Sequence, residues 1–185
     1  MLGDYIDRGP DSYRTSRRLI ELQETFGKQR VILLRGNHEQ MAIDYLQHGD
    51  SIFLYNGGKV TLADFSKNGD ALANYLDFFK QLPTFFEDKQ FIYVHGGIRH
   101  GVKLSKQDDQ DLLWLREEFY LNPAVEDKTV IFGHTPTLNI TGEPYPFFAP
   151  GRIGLDTGCV FGGRLSALEL NKGVVTVHQV RNRAA

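Results

Sequence analysis

The chain has 185 residues, of which 41% are hydrophobic; its formal net charge is -2 and it contains one cysteine, Cys159. These totals fit one globular domain over residues 1–185, exclude an internal disulfide, and argue against a disordered chain and against a dedicated basic surface for nucleic acid, while leaving room for a local basic cleft. No apolar run reaches the about 18 residues of a membrane span, and no basic or apolar leader opens the sequence, so a cytoplasmic protein with neither membrane nor nucleic-acid partner is expected.

The first feature is the loop LGDYIDRG, in which Asp4 and Asp7 stand beside Arg8 and between two glycines. Charges of this kind work only when a scaffold holds them still. The next stretch, DSYRTSRRLIELQETFG, places Tyr13, Leu19, Ile20, Leu22 and Phe26 at helical spacing and stops at Gly27, which predicts a helix. RVILLR, bounded by GKQ and GNHE, predicts a short buried strand. Helices are then predicted for EQMAIDYLQHG, for DALANYLDFFKQLP up to Pro83, and for DQDLLWLREEFYLNP from an acidic cap to Pro123. Between and after them, FIYVH and TVIFGH share one design, an apolar run with a histidine at its carboxyl edge. RLSALEL, NKG and VVTVHQV read as strand, tight turn and strand. The expected fold is α/β, a sandwich of mixed β-sheets flanked by helices, with its chemistry past the carboxyl ends of strands.

Those strand ends collect Asp4, Asp7 and Arg8, then Asn37 and His38 from GNHE, His95 from VHGG and His134 from GHT. A carboxylate, an amide oxygen and two imidazoles suit manganese, iron or zinc, whereas calcium favours oxygens alone and structural zinc favours thiolates. A carboxylate also bridges paired ions about 3.5–4 Å apart, the arrangement that activates water and holds a phosphoryl oxygen. Hydrolysis of a phosphate ester needs cations, a guanidinium fork and a proton donor in one pocket. A carboxylate beside a histidine fixes the tautomer and charge that a proton donor needs.

GDYIDRG, RGNHE, VHGG and FGHT resemble four successive signature blocks of the calcineurin-like metallophosphoesterases, in the branch of serine/threonine protein phosphatases and bacterial symmetrical diadenosine tetraphosphatases. The resemblance runs from Leu2 to about Leu170. It implies a hydrolase using metal-activated water, with two divalent transition ions (Mn, Fe or Zn) in the complete family site. It also implies that Asp4 bridges the metals, that Asn37, His95 and His134 complete one of them, and that His38 is the general acid. Asp7 would orient His38, while Arg8 and Arg116, the latter after a tryptophan, would grip phosphate. The implied substrate is a phosphorylated protein, with a dinucleoside polyphosphate as the alternative. The family's opening Asp-x-His has no counterpart ahead of Asp4. One full metal site is therefore expected, in an N-terminally truncated domain missing its first strand-helix unit, and a noncatalytic remnant binding one metal or none is the competing reading.

Singly, each group has an ordinary explanation. A strand-ending histidine is usually structural, and GNH alone is a turn. The ordered set is what points to chemistry, since unrelated turns have no reason to present it. HGG at His95 suggests an esterase, but no Gly-x-Ser-x-Gly elbow accompanies it, and no Walker A is present. His48, His100 and His178 are read as solvent or packing residues, although His100 is close enough in sequence to His95 to line the cleft. Arg35 is read as a structural ion pair and Asp156 in DTGCVFGG as turn-forming or supporting. The proline and aromatic loop EPYPFFAP, residues 143–150, is either a lid on the core or a substrate wall.

Overall fold

The helix predicted after Pro10 forms at Ser12–Phe26 (α1) and ends on Gly27 at φ 84°, whose N–H returns to Gln23 O. The computed structural model describes residues 1–122 and 127–182, and these divide into two compact units, Met1–Phe86 and Glu87–Ala185. Among the described residues no helix is long and apolar enough to cross a membrane.

In the first unit α1 is followed by α2 (Asn37–His48), a distorted turn at Leu54–Gly58, α3 (Lys59–Lys67), a tight turn at Leu72–Tyr75 and α4 (Leu76–Gln81). Its core includes Leu19, Leu33, Leu34, Met41, Phe53, Phe65 and Phe79. Phe65 meets the rings of Tyr13 and Tyr75 edge-on, at centroid distances of 5.4 and 4.9 Å. Three sequence expectations need correction here. RVILLR buries Leu33 and Leu34 but is not a strand: Met1 N to Ile32 O and Leu34 N to Met1 O on one side and Arg35 N to Pro83 O on the other are too short a run with either neighbour to make one. The second helix starts two residues earlier than EQMAIDYLQHG, at Asn37, because the Glu39 carboxylate accepts Gly36 N and closes the first turn. DALANYLDFFKQLP splits into a turn and α4, since Asp70 Oδ1 takes Ala71 N and Asn74 Nδ2 and draws the start out of helical form.

At the division lies β1 (Phe85–Glu87). In the second unit β2 (Phe91–Val94), β3 (Thr129–Phe132), β4 (Phe147–Ala149) and β5 (Arg152–Gly154) stand in the order β2-β3-β5-β4. The first three in that order are parallel, with Tyr93 opposite Ile131 and Ile131 opposite Ile153, while β4 closes the edge antiparallel to β5. The sheet is thus mixed, as expected. β4 occupies part of EPYPFFAP, so this segment is an edge strand as well as a loop. The hairpin of β6 (Arg164–Asn171) and β7 (Val174–Arg181) turns at Lys172 and Gly173, both at positive φ as a two-residue turn requires. The helix expected from Asp109 is broken into α5 (Asp109–Trp114) and α6 (Glu117–Tyr120), with Arg116 at φ -128°, ψ -108° between them. Asp108 caps it by accepting Gln110 N; Pro123, its expected stop, lies outside the described residues. Helix α7 (Thr137–Thr141) follows β3.

Candidate active site

The loop before α1 is bent to an unusual degree. Asp4, Asp7 and Arg8 have φ of 58°, 73° and 59°. Side chains with a Cβ rarely adopt this region, and such conformations persist only where the surroundings enforce them. Glu39 is the first enforcer. Its fully buried carboxylate accepts Asp4 N at 2.9 Å, Tyr5 N at 2.7 Å and Gly36 N at 2.8 Å. Burial pushes the Glu39 carboxyl above its ordinary value and the nearby Asp4 charge adds to this, while the three N–H groups oppose it. Gly36 completes the cradle, since a Cβ there would lie 2.3 Å from Asp4 Oδ1 and 2.4 Å from Asp4 N. Asp4 Oδ1 in turn accepts His38 N at 3.2 Å, so the start of α2 and the acidic loop hold each other.

The second enforcer is a cluster around Asp7. His38 Nδ1 and Asp7 Oδ2 are 2.6 Å apart, and both side chains are buried. The other carboxylate oxygen accepts the Thr61 hydroxyl at 2.6 Å, and Asp7 N donates to Thr61 Oγ1 at 2.9 Å and Ser12 Oγ at 3.2 Å. The sequence pairing of Asp7 with His38 is thus realised. Ser12 and Thr61 were not singled out by sequence; the two glycines before Lys59 are the only hint, because they let α3 start against the acidic loop. Asn37 is buried in the first turn of α2, and Arg8 is exposed at the end of the loop.

The second unit presents a histidine pair. His95 follows β2 and is fully buried; His134 follows β3, is nearly so, and has φ 61°. The parallel pairing of β2 with β3 brings them together, reinforced by Gly133 N donating to His95 O at 2.8 Å. Their ring centroids are 5.1 Å apart, with a nitrogen of each within 4.8 Å of the other's. Trp114 packs edge-on to His134 at 5.9 Å, and the break after α5 lets Arg116 Nη1 donate to His134 O at 3.1 Å. Arg116 therefore touches the His134 loop directly.

Residues read as structural behave so, one with a changed reason. Arg35 forms no ion pair among the described residues: its guanidinium donates to Gln40 Oε1 and to the carbonyls of Lys80 and Leu82 at the end of α4. Asp156 Oδ1 accepts Gly158 N, a turn bond. His48, His100 and His178 are exposed. Burial raises the Cys159 thiol, and the Asp156 charge raises it further, which suits an inert cysteine.

The donor chemistry fits a transition ion. Paired imidazoles at close range in a buried position could supply nitrogen donors to such an ion, and Asp4 sits in a cradle from which even a methyl group is excluded. The family model described as calcineurin-like phosphoesterase matches residues 1–177. The chain is 25% identical over 187 residues to the asymmetrical bis(5'-nucleosyl)-tetraphosphatase PrpE of Oceanobacillus iheyensis, covering 90% of this chain and 71% of that protein. It is equally similar to the protein of the same name from Bacillus thuringiensis, at 25% identity over 189 residues, 90% of this chain and 73% of the other. The crystal structure of a metallophosphoesterase from Sphaerobacter thermophilus shares the fold, with a TM-score of 0.59 at 20% identity over 97% of this chain and 75% of that one.

Proposed function

The chain belongs to the calcineurin-like phosphoesterases, and from that premise we propose that it hydrolyses a phosphoanhydride bond of a dinucleoside polyphosphate. The names of its relatives favour this substrate over a phosphorylated protein. Asp4, Asn37, His95 and His134 are the ligands proposed for manganese, iron or zinc. Such an ion, when bound, supplies positive charge to phosphoryl oxygens and acidifies a water.

The observation that carries the reading is the buried 2.6 Å contact between His38 Nδ1 and Asp7 Oδ2. With Nδ1 engaged, Nε2 is the ring atom through which His38 gives a proton to the departing oxygen. Asp7 holds the ring in that orientation. Arg8 presents a planar fork suited to two phosphate oxygens, and Arg116 adds a second guanidinium beside the His134 loop.

The test is side-by-side turnover of diadenosine tetraphosphate and a phosphothreonine peptide with manganese, with the products separated by chromatography. ATP and AMP are expected, as the relatives' asymmetrical name implies; a pair of ADP molecules would instead match the symmetrical class expected from sequence. Turnover of the peptide alone overturns the substrate, and absence of metal-stimulated turnover with either, or with an aryl phosphate, overturns the enzyme.

A further inference from the structure

We infer that Thr61 is a positioning residue for the His38 proton donor, acting through Asp7; the inference rests on the general-acid role proposed for His38. A carboxylate is planar, so fixing one oxygen fixes the direction of the other. Thr61 fixes Asp7 Oδ1 at 2.6 Å while His38 meets Oδ2 at the same distance. The same hydroxyl oxygen accepts Asp7 N at 2.9 Å, so one group holds both the backbone and the carboxylate of a residue at φ 73°. A hydroxyl has one proton. With that proton on Asp7 Oδ1, the 3.2 Å contact between Thr61 Oγ1 and Ser12 Oγ runs from Ser12 to Thr61. The chain of donors therefore points one way, from Ser12 through Thr61 to the carboxylate.

The placement is built into the fold. Thr61 is fully buried in the first turn of α3, just after Gly57 and Gly58. Gly57 has φ 111°, and a Cβ there would lie 2.8 Å from Arg8 Cγ and 2.9 Å from Arg8 N. The turn that delivers Thr61 thus presses on the loop carrying Asp7 and Arg8. A buried hydroxyl whose hydrogen bonds go to Asp7 and Ser12 has its effect through the groups it holds.

The experiment compares wild type, Thr61→Val, Thr61→Ser and His38→Asn on two esters. Phenyl phosphate expels a phenol of pKa about 10, like a tyrosine, and needs a proton donor. 4-Nitrophenyl phosphate expels a far more acidic phenol and does not. Thr61→Val is expected to lower kcat for phenyl phosphate by about 10–100-fold while changing 4-nitrophenyl phosphate by less than about threefold. Thr61→Ser, which keeps the hydroxyl, restores the wild-type ratio. Equal losses on both esters, or no loss, overturn the inference. If His38→Asn itself shows no dependence on the leaving group, the general-acid reading falls instead, which separates the two failures. A second readout needs neither metal nor turnover. In histidine-labelled protein the His38 Nδ1 proton, held in a short bond to Asp7, is expected far downfield by NMR in wild type and Thr61→Ser and displaced upfield in Thr61→Val. An unmoved resonance in Thr61→Val, or none in wild type, refutes the arrangement.

Discussion

Replacing Glu39 by glutamine changes one atom and tests what holds the acidic loop. The wild-type carboxylate accepts two amides on Oε2, from Asp4 and Gly36, and one on Oε1, from Tyr5. In the better of its two orientations glutamine puts its carbonyl at the Oε2 position and keeps two bonds, now without charge. Its NH2 then faces Tyr5 N–H across 2.7 Å, donor against donor. Losing charge assistance costs about 1 kcal/mol per retained bond, and the orphaned donors cost about 1–3 kcal/mol more. Relief of a buried charge beside Asp4 offsets part of this, leaving a net loss of about 2–3 kcal/mol. The local assay is amide hydrogen exchange at Asp4, Tyr5 and Gly36, whose protection is expected to fall about 30–150-fold, at roughly tenfold per 1.4 kcal/mol. Unchanged protection would refute the claim that Glu39 pins the loop. Increased protection would mean that desolvation of its charge outweighs all three bonds.

Gly36→Ala forces a methyl group to within 2.3 Å of Asp4 Oδ1 and should cost about 1–3 kcal/mol in urea unfolding while weakening manganese binding by calorimetry. His95→Ala and His134→Ala should each lower manganese affinity by more than about 100-fold, beyond the loss typical of a residue that merely supports a ligand, and Asp4→Ala should weaken the same binding event. Asp111 is held below its usual carboxylate range, first by its hydrogen bonds from Arg99, at 2.6 Å from Nε and 2.5 Å from Nη2, with the charge of Arg99 adding to them. Because this pKa is depressed on folding, the stability it confers is present above the unfolded value of about 3.9 and fades as pH falls through the lower folded value. Asp111→Asn should therefore cost about 0.2–1 kcal/mol at pH 7 and nothing in strong acid, as read by urea titration across pH.

The groups proposed to carry chemistry were legible because each sits in a short block whose neighbours dictate the local turn. The resemblance of GDYIDRG and RGNHE to family blocks implied that Asp7 orients His38, and the two side chains lie 2.6 Å apart. Thr61 was invisible for the opposite reason: it lies 54 positions from Asp7, and KVTLADFSK gives no periodic signal strong enough to mark a helix. The misread strand at RVILLR shows the same limit, since burial sets an apolar pattern but a ladder needs a run of partners. The break at Arg116 escaped because α5 and α6 continue one apolar pattern across it, while the partner that Arg116 reaches there, the carbonyl of His134, lies 18 positions away.

The run of left-handed residues at Asp4, Asp7 and Arg8 has a practical corollary for engineering. A heptapeptide transplanted from residues 3–9 into another scaffold would relax, because its shape is imposed from outside by Glu39 and Thr61. The smallest portable cassette is therefore discontinuous: the acidic turn, residues 36–39 and the double-glycine entry to α3 have to travel together.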